Sequence, residues 1–212
     1  MELIAVNIGQ PKEVVYQEKT LKTGIYKYPV THAVNIHKTG VTGDVQVDTK
    51  YHGGVEKAVY IYPAEHYDFW KKLLPETDFP LGAFGENLTV SGAPDSQTNI
   101  GDVFKVGDVE LQVTIPRIPC YKLNIRFDSN LFLKKFYASQ HWGFYCSVLK
   151  EGAIQIGDKI ERLKKDEDNF SVAEFTQLYT SKKPMPALFE KALNTTSLSE
   201  KRKEKFRVKF GG

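Results

Sequence analysis

Between Leu3 and Leu163 the apolar positions come in short runs rich in Val, Ile, Tyr and Phe, broken at close intervals by Gly, Asp and Pro. Runs of this length and composition read as β-strands. They fall at residues 3–8, 33–37, 58–62, 87–90, 103–106, 109–115, 144–149 and 158–162. Many short strands separated by turn residues favour a barrel or a sandwich, and without a long alternation of strand and helix a doubly wound parallel sheet is not expected. Ile-Gly-Asp occurs at 100–102 and again at 156–158, each time opening a strand, and Val106-Gly107-Asp108 reads as a tight hairpin turn. These glycines serve the turns, not a phosphate loop.

Helical spacing interrupts this pattern at two places. Residues 63–73 carry Pro63 in the first turn and set Tyr67, Trp70 and Leu74 along one face; residues 130–137 read as a second helix. After Leu163 the run Lys164-Lys165-Asp166-Glu167-Asp168-Asn169 has no apolar residue and reads as a linker. Beyond it, Ser171-Val172-Ala173-Glu174 is a capping box opening a helix to about Tyr179. Pro184 and Pro186 start a second helix ending near Leu193, and Ser197-Leu198-Ser199-Glu200 caps a third. The expectation is mainly β: a β-barrel domain with a few peripheral helices over residues 1–163, a linker over 164–170, and a three-helix unit over 171–212. Three short helices bury little alone, so they lean on the barrel or on a second subunit, which makes a homodimer one expected assembly.

Composition narrows the class. With 41% hydrophobic and 26% charged residues, the chain is a folded globular protein rather than a disordered one. No apolar run approaches the roughly 20 residues that span a bilayer, and Met1-Glu2-Leu3-Ile4-Ala5-Val6 lacks the basic start of a signal peptide. A cytoplasmic protein without membrane association is expected. Cys120 and Cys146 are too few for a disulfide framework and read as thiols. The net charge of +3 hides an asymmetry, because residues 181–212 carry nine Lys/Arg against three Glu and are +6, leaving residues 1–180 at −3. Such a basic segment is a solvated helix face or a dock for nucleic acid or an acidic partner.

Three loops hold the candidate chemistry. In the first, His52-Gly53-Gly54 precedes Lys57 and a strand. Paired glycines let a backbone approach a ligand and aim N–H groups at an anion, with His52 and Lys57 adding charge; the same residues also fit a surface turn with a solvated lysine. In the second, Gly82-Ala83-Phe84-Gly85-Glu86-Asn87, the polar side chains either shape the loop or hold a ligand. The third is Pro116-Arg117-Ile118-Pro119-Cys120-Tyr121-Lys122. Its prolines stiffen the loop, and if Pro119 begins a helix, Cys120 lies in the first turn, where the dipole and the flanking Arg117 and Lys122 favour a thiolate. A thiolate is a soft metal ligand. Cys146, inside Phe144-Tyr145-Cys146-Ser147-Val148-Leu149, reads as core.

Taken in order, His52-Gly53-Gly54 with Lys57-Ala58-Val59-Tyr60, then Phe84-Gly85-Glu86-Asn87-Leu88-Thr89, then Pro116-Arg117 through Cys120 to Lys122-Leu123, resemble the signature of the MOSC family, named for the C-terminal domain of molybdenum-cofactor sulfurases. The resemblance spans roughly residues 20–163, and the helical appendage is similar to the two-domain bacterial YiiM subgroup, whose members reduce N-hydroxylated purines. It implies a β-barrel that binds the molybdenum cofactor, Mo-molybdopterin, with Cys120 as the molybdenum ligand. His52, Lys57, Asn87, Arg117 and Lys122 become candidates for gripping the cofactor or lining its pocket, with Gly53 and Gly54 beside them. No region resembles the desulfurase half of the sulfurases, so Lys57 is not read as a pyridoxal phosphate lysine. The expected activity is reduction of a small N-hydroxylated substrate such as 6-N-hydroxylaminopurine, with His52 supplying a proton. The sequence has no dinucleotide fingerprint and no cysteine cluster for iron–sulfur, so a separate electron-donor reductase is expected. A carrier of cofactor or sulfur without turnover uses the same residues. A nucleic-acid module working through the basic helices is the least favoured reading.

Overall fold

The computed structural model describes residues 1–211, apart from the side chains of Lys50 and Tyr51. Strand β1 (Glu2–Ile8) is followed by the hairpin of β2 (Lys12–Tyr16) and β3 (Lys19–Thr23), then β4 (Tyr28–Val30), β5 (Val34–His37) and β6 (Gly40–Val41). The short α1 (Thr49–His52) and a 3-10 turn (Val55–Lys57) lead into β7 (Val59–Pro63), α2 (Glu65–Leu73) and β8 (Leu88–Ser91). Next come β9 (Val103–Val106), β10 (Val109–Pro116), α3 (Lys122–Arg126), α4 (Phe132–Ser139), β11 (Phe144–Lys150), β12 (Gly152–Ile154) and β13 (Ile160–Lys164). Helices α5 (Val172–Thr180), α6 (Pro186–Asn194) and α7 (Glu200–Phe210) follow.

Eight strands form one sheet in the order β13-β9-β10-β11-β7-β8-β1-β4, and only β7 and β8 run parallel within it. That pair requires a crossover, and α2 lies within it. The expected closed barrel is corrected: among the described residues the sheet stays open. It curls until the starts of β1 and β13 meet, where Leu3 N–H donates to the Asp158 carbonyl and Ile160 N–H to that of Met1, both at 3.0 Å. Only the bridge between Glu2 and Lys159 results. The reason is edge occupancy, since β8 pairs along β1 on one side while β4 takes Val6 to Ile8 of the other.

Two apolar layers flank this sheet. The first joins Val59, Ile61, Leu111 and Val113 to Ile36 and Ile154 of the small sheet β12-β5-β6. The second is aromatic: Trp70 stacks on Phe136 with ring centres 5.6 Å apart and donates its indole N–H to the Tyr62 hydroxyl at 2.7 Å. Phe175 of α5, Ala192 of α6 and Phe206 of α7 belong to this same layer.

The segment expected as a linker carries buried groups. Asp166 N–H donates to Asp102 at 2.8 Å, the Asp166 carboxylate accepts from the Ser197 hydroxyl at 2.7 Å, and Phe170 is fully buried. Ser199, not Ser197, stands at the N-cap position of α7 and makes no side-chain cap hydrogen bond, so the expected Ser197–Glu200 cap does not form. The Ser171–Glu174 capping box forms as expected. Phe170, Val172 and Phe175 fill the two layers, and losing one large buried side chain costs about 3–5 kcal/mol against a total stability of roughly 5–15. Truncation after Leu163 is therefore expected to leave a β region with a broad thermal transition. A sharp, cooperative transition would instead assign residues 1–163 to an independent domain.

Candidate functional site

The three loops converge on one cleft. A narrow throat of about 40 Å³, lined by Cys120, Arg117, Lys122, His52 and Lys27, opens on a wider part of about 190 Å³ bounded by Gly53, Lys57 and Asn87. Arg117 follows the bulged end of β10, and its backbone N–H is held by the Gly143 carbonyl at 3.1 Å. Cys120 lies before α3 rather than in its first turn: Tyr121 is the N-cap, and Cys120 meets the helix only through its carbonyl, which accepts from Leu123 N–H at 3.1 Å. Its side chain is half-buried.

Arg117 sets the electrostatics. Only 4% of it is exposed, and its guanidinium lies over the rings of Tyr60 and Phe136, at 5.6 and 5.4 Å. Burial pulls its pKa down, but Tyr60, Cys120 and Tyr145 around it outweigh this and hold the pKa above its ordinary range. Nη1 is buried and meets no hydrogen-bond partner among the described residues. A buried cation with an unsatisfied N–H costs several kcal/mol unless an anion completes it, so this atom is free to take one.

Lys122 is also buried, and its ammonium pairs with Asp48 at 3.1 Å. His52, at the end of α1, has its pKa lowered to about 4, first by burial and then by the Lys122 and Arg117 charges. Near neutral pH it is a neutral imidazole. NMR titration of the free protein is expected to show the His52 ring changing near pH 4; a midpoint near the ordinary ~6.5 would contradict this cation-rich setting. Lys57 has a lowered pKa as well, from burial and then from Arg202, with Lys201 and Lys205 adding to it and Glu56 opposing. Its charged neighbours thus include α7.

The other expected residues shape the cleft. The side-chain carbonyl of Asn87 accepts from Tyr60 N–H at 3.1 Å, and its amide donates to Asp44 at 3.0 Å, so its amide is engaged in fixing β7 against the Asp44 loop. Gly53 lines the cleft and lies so close to α1 that a Cβ would meet the Thr49 carbonyl at 2.8 Å. Gly54 is not among the lining residues; at φ 98° it caps the 3-10 turn. Glu86, fully buried, accepts from Gly82 N–H, Phe84 N–H and the Thr89 and Tyr67 hydroxyls, which moulds the loop that Phe84 and Gly85 present to the throat. Sequence reasoning missed Lys27, a buried cation paired with Asp44, and Tyr145, which lines the throat beside Arg117. A lysine in the polar–aromatic stretch Tyr26-Lys27-Tyr28 gives no sign that it faces a cleft.

Among the described residues no helix is long and apolar enough to cross a membrane. Comparison with known proteins agrees with this geometry. Residues 48–161, which carry all three loops, match the model of the MOSC domain. The chain is 38% identical to YflK of Bacillus subtilis, over 98% of this chain and 93% of that protein. It is 39% identical, over 72% of its length, to a protein of Gibberella moniliformis named Reductase, where the match occupies 28% of the fungal protein. The crystal structure of YiiM from Geobacillus stearothermophilus superposes with a TM-score of 0.81 at 28% identity, covering 98% of both chains. A mainly β-sheet fold with several helices, the three loops in register and these relatives together establish that the chain is a YiiM-like member of the MOSC domain family.

Proposed function

We propose that this chain is a reductase that holds Mo-molybdopterin through Cys120 and reduces N-hydroxylated compounds, hydroxylaminopurines among them. The observation that carries this reading is the buried Arg117 guanidinium with an unsatisfied Nη1 beside a half-buried thiol. The donor set fits the cofactor. Among the described residues no three His, Cys, Asp or Glu side chains are placed to hold a metal, so Cys120 offers one soft ligand and the others arrive with the cofactor. Its anionic groups suit Arg117, Lys122 and Lys57.

When bound, the cofactor supplies the two-electron chemistry by which R–NHOH, two electrons and two protons become R–NH2 and water, the N–O bond being the one that breaks. The chain's own residues position and protect. Arg117 and Lys122 hold anionic groups near Cys120, while the buried Tyr60 and Tyr145 exclude water from the guanidinium. His52 lines the same throat. An anion bound there raises its pKa toward the working range, which is what the role of proton donor to the departing oxygen requires. The electrons come from a separate donor. In the fungal reductase the counterpart of this chain leaves most of the length for other parts.

Cofactor-loaded protein with reduced methyl viologen is expected to convert a hydroxylaminopurine to the aminopurine, catalytically. Retention of cofactor with no turnover would favour the carrier reading instead.

A further inference from the structure

Helix α7 has three distinct flanks. Lys203 and Phe206 are buried against the aromatic layer. Glu200 and Glu204 occupy a second flank and pair with Lys203 at 3.2 Å and with Arg207 at 3.3 and 3.1 Å. Lys201, Arg202 and Lys205 lie on the third, outside these pairs. Their charges oppose one another: the Lys205 ammonium is disfavoured by burial and then by Arg202 and Lys201, and the same three cations disfavour that of Lys57. Val208, at i+7 from Lys201 and i+3 from Lys205, shares their side of the helix and is 79% exposed.

This face belongs to the surroundings of the cleft. Lys57 lines the wider part, and Lys201, Arg202 and Lys205 of α7 lie close enough to act on its charge, so this face of α7 borders that end of the cleft. Cations that repel one another around an exposed apolar residue are suited to a broad negative surface that relieves the repulsion as it docks.

We propose that this face of α7, formed by Lys201, Arg202, Lys205 and Val208, docks an acidic electron-donor protein at the mouth of the cleft. The proposal rests on the reductase reading. A protein surface fits better than a small anion, because Lys201 and Lys205 are exposed on a convex helix. It also fits better than nucleic acid, because Lys201 to Lys205 spans only about 6 Å of helix, too short a row of cations to follow a phosphate backbone.

The test compares wild-type holoprotein with Lys201→Glu/Lys205→Glu, using reduced flavodoxin, a small acidic flavoprotein, as donor and reduced methyl viologen as control. With flavodoxin the double variant is expected to raise the apparent KM for the donor by about tenfold, equivalent to ~1.4 kcal/mol. The wild-type rate should fall between about 50 and 300 mM salt, as steering is screened. Methyl viologen turnover should be equal in the two proteins. Equal, salt-independent flavodoxin kinetics would overturn the proposal, and so would wild-type binding of an RNA or DNA duplex, but not of flavodoxin, that the double variant loses. If methyl viologen gives no turnover in wild type, the reductase reading fails by itself. Direct titration of flavodoxin against both proteins then decides docking: weaker binding to the variant supports the surface, equal binding removes it.

Discussion

Cys120→Ser is expected to abolish reduction of an N-hydroxylated substrate while leaving the protein folded. The side chain is half-buried, and its backbone carbonyl, not its sulfur, anchors α3, so serine preserves the loop. What changes is the ligand: a soft, readily ionised thiol becomes a hard hydroxyl that stays protonated near neutral pH. Loss of a partner that merely orients a metal ligand costs roughly 10–100-fold, so loss of the ligand itself should cost more than about a hundredfold in activity. Cys146 is the control. It is fully buried in the apolar layer, and burial pushes its thiol well above the usual range, which leaves it unreactive. Cys146→Ala should keep activity and lose about 1 kcal/mol of stability to a small cavity. Thiol labelling of the free protein should find one fast site, absent from Cys120→Ser. An active Cys120→Ser variant would rule out the proposed mechanism.

Arg117→Ala is expected to weaken cofactor retention by about ten- to a hundredfold, the worth of a charge-assisted contact of ~1.5–3 kcal/mol. Folding should suffer less. The guanidinium is buried with one N–H unsatisfied, so removing it also removes a desolvation cost, and Arg117→Met, which refills the space between Tyr60 and Phe136, should melt at or above the wild-type temperature. Phosphate should raise the melting temperature of wild type but not of Arg117→Met. Lys57→Ala should lose less than Arg117→Ala, because Lys57 lies among the α7 cations at the far end of the cleft. Unchanged molybdenum content in Arg117→Ala would place the anion site elsewhere.

Much of this was legible in the sequence where local pattern decides the outcome. β7, β10 and β11 carry Val, Ile and Tyr in runs that nothing else explains, and the Ser171–Glu174 capping box formed where its spacing indicated. The β2–β3 hairpin was not legible. Its turn places Gln17 and Glu18 at φ 49° and 63°, left-handed conformations without the Gly or Asn that would announce them. Openness of the sheet depends on β4 occupying the edge of β1, a competition between strands distant in sequence. The burial within the polar run after Leu163 was not legible for a related reason: Asp166 is buried with Asp102 and Ser197 supplying its hydrogen bonds.

At the site, glycines and prolines flagged the three loops, but each residue's role depended on partners elsewhere. Asn87, read as a candidate for gripping the cofactor or lining its pocket, lines the wider part of the cleft, and only the fold shows that Asp44 and Tyr60 engage both ends of its amide. Lys27 and Tyr145 enter the cleft from segments with no motif of their own. Helix α3 is five residues long and begins past Cys120, so the expected place of Cys120 in its first turn is corrected.

We propose Cys120 as the attachment point of a molybdenum cofactor. It is tested most directly by metal and pterin analysis of wild-type and Cys120→Ser proteins, both purified from a host with intact molybdopterin synthesis. Stoichiometric molybdenum and pterin are expected in the wild type, with loss of molybdenum from the folded variant. Folded wild-type protein without molybdenum or pterin, or equal molybdenum in both proteins, would contradict it.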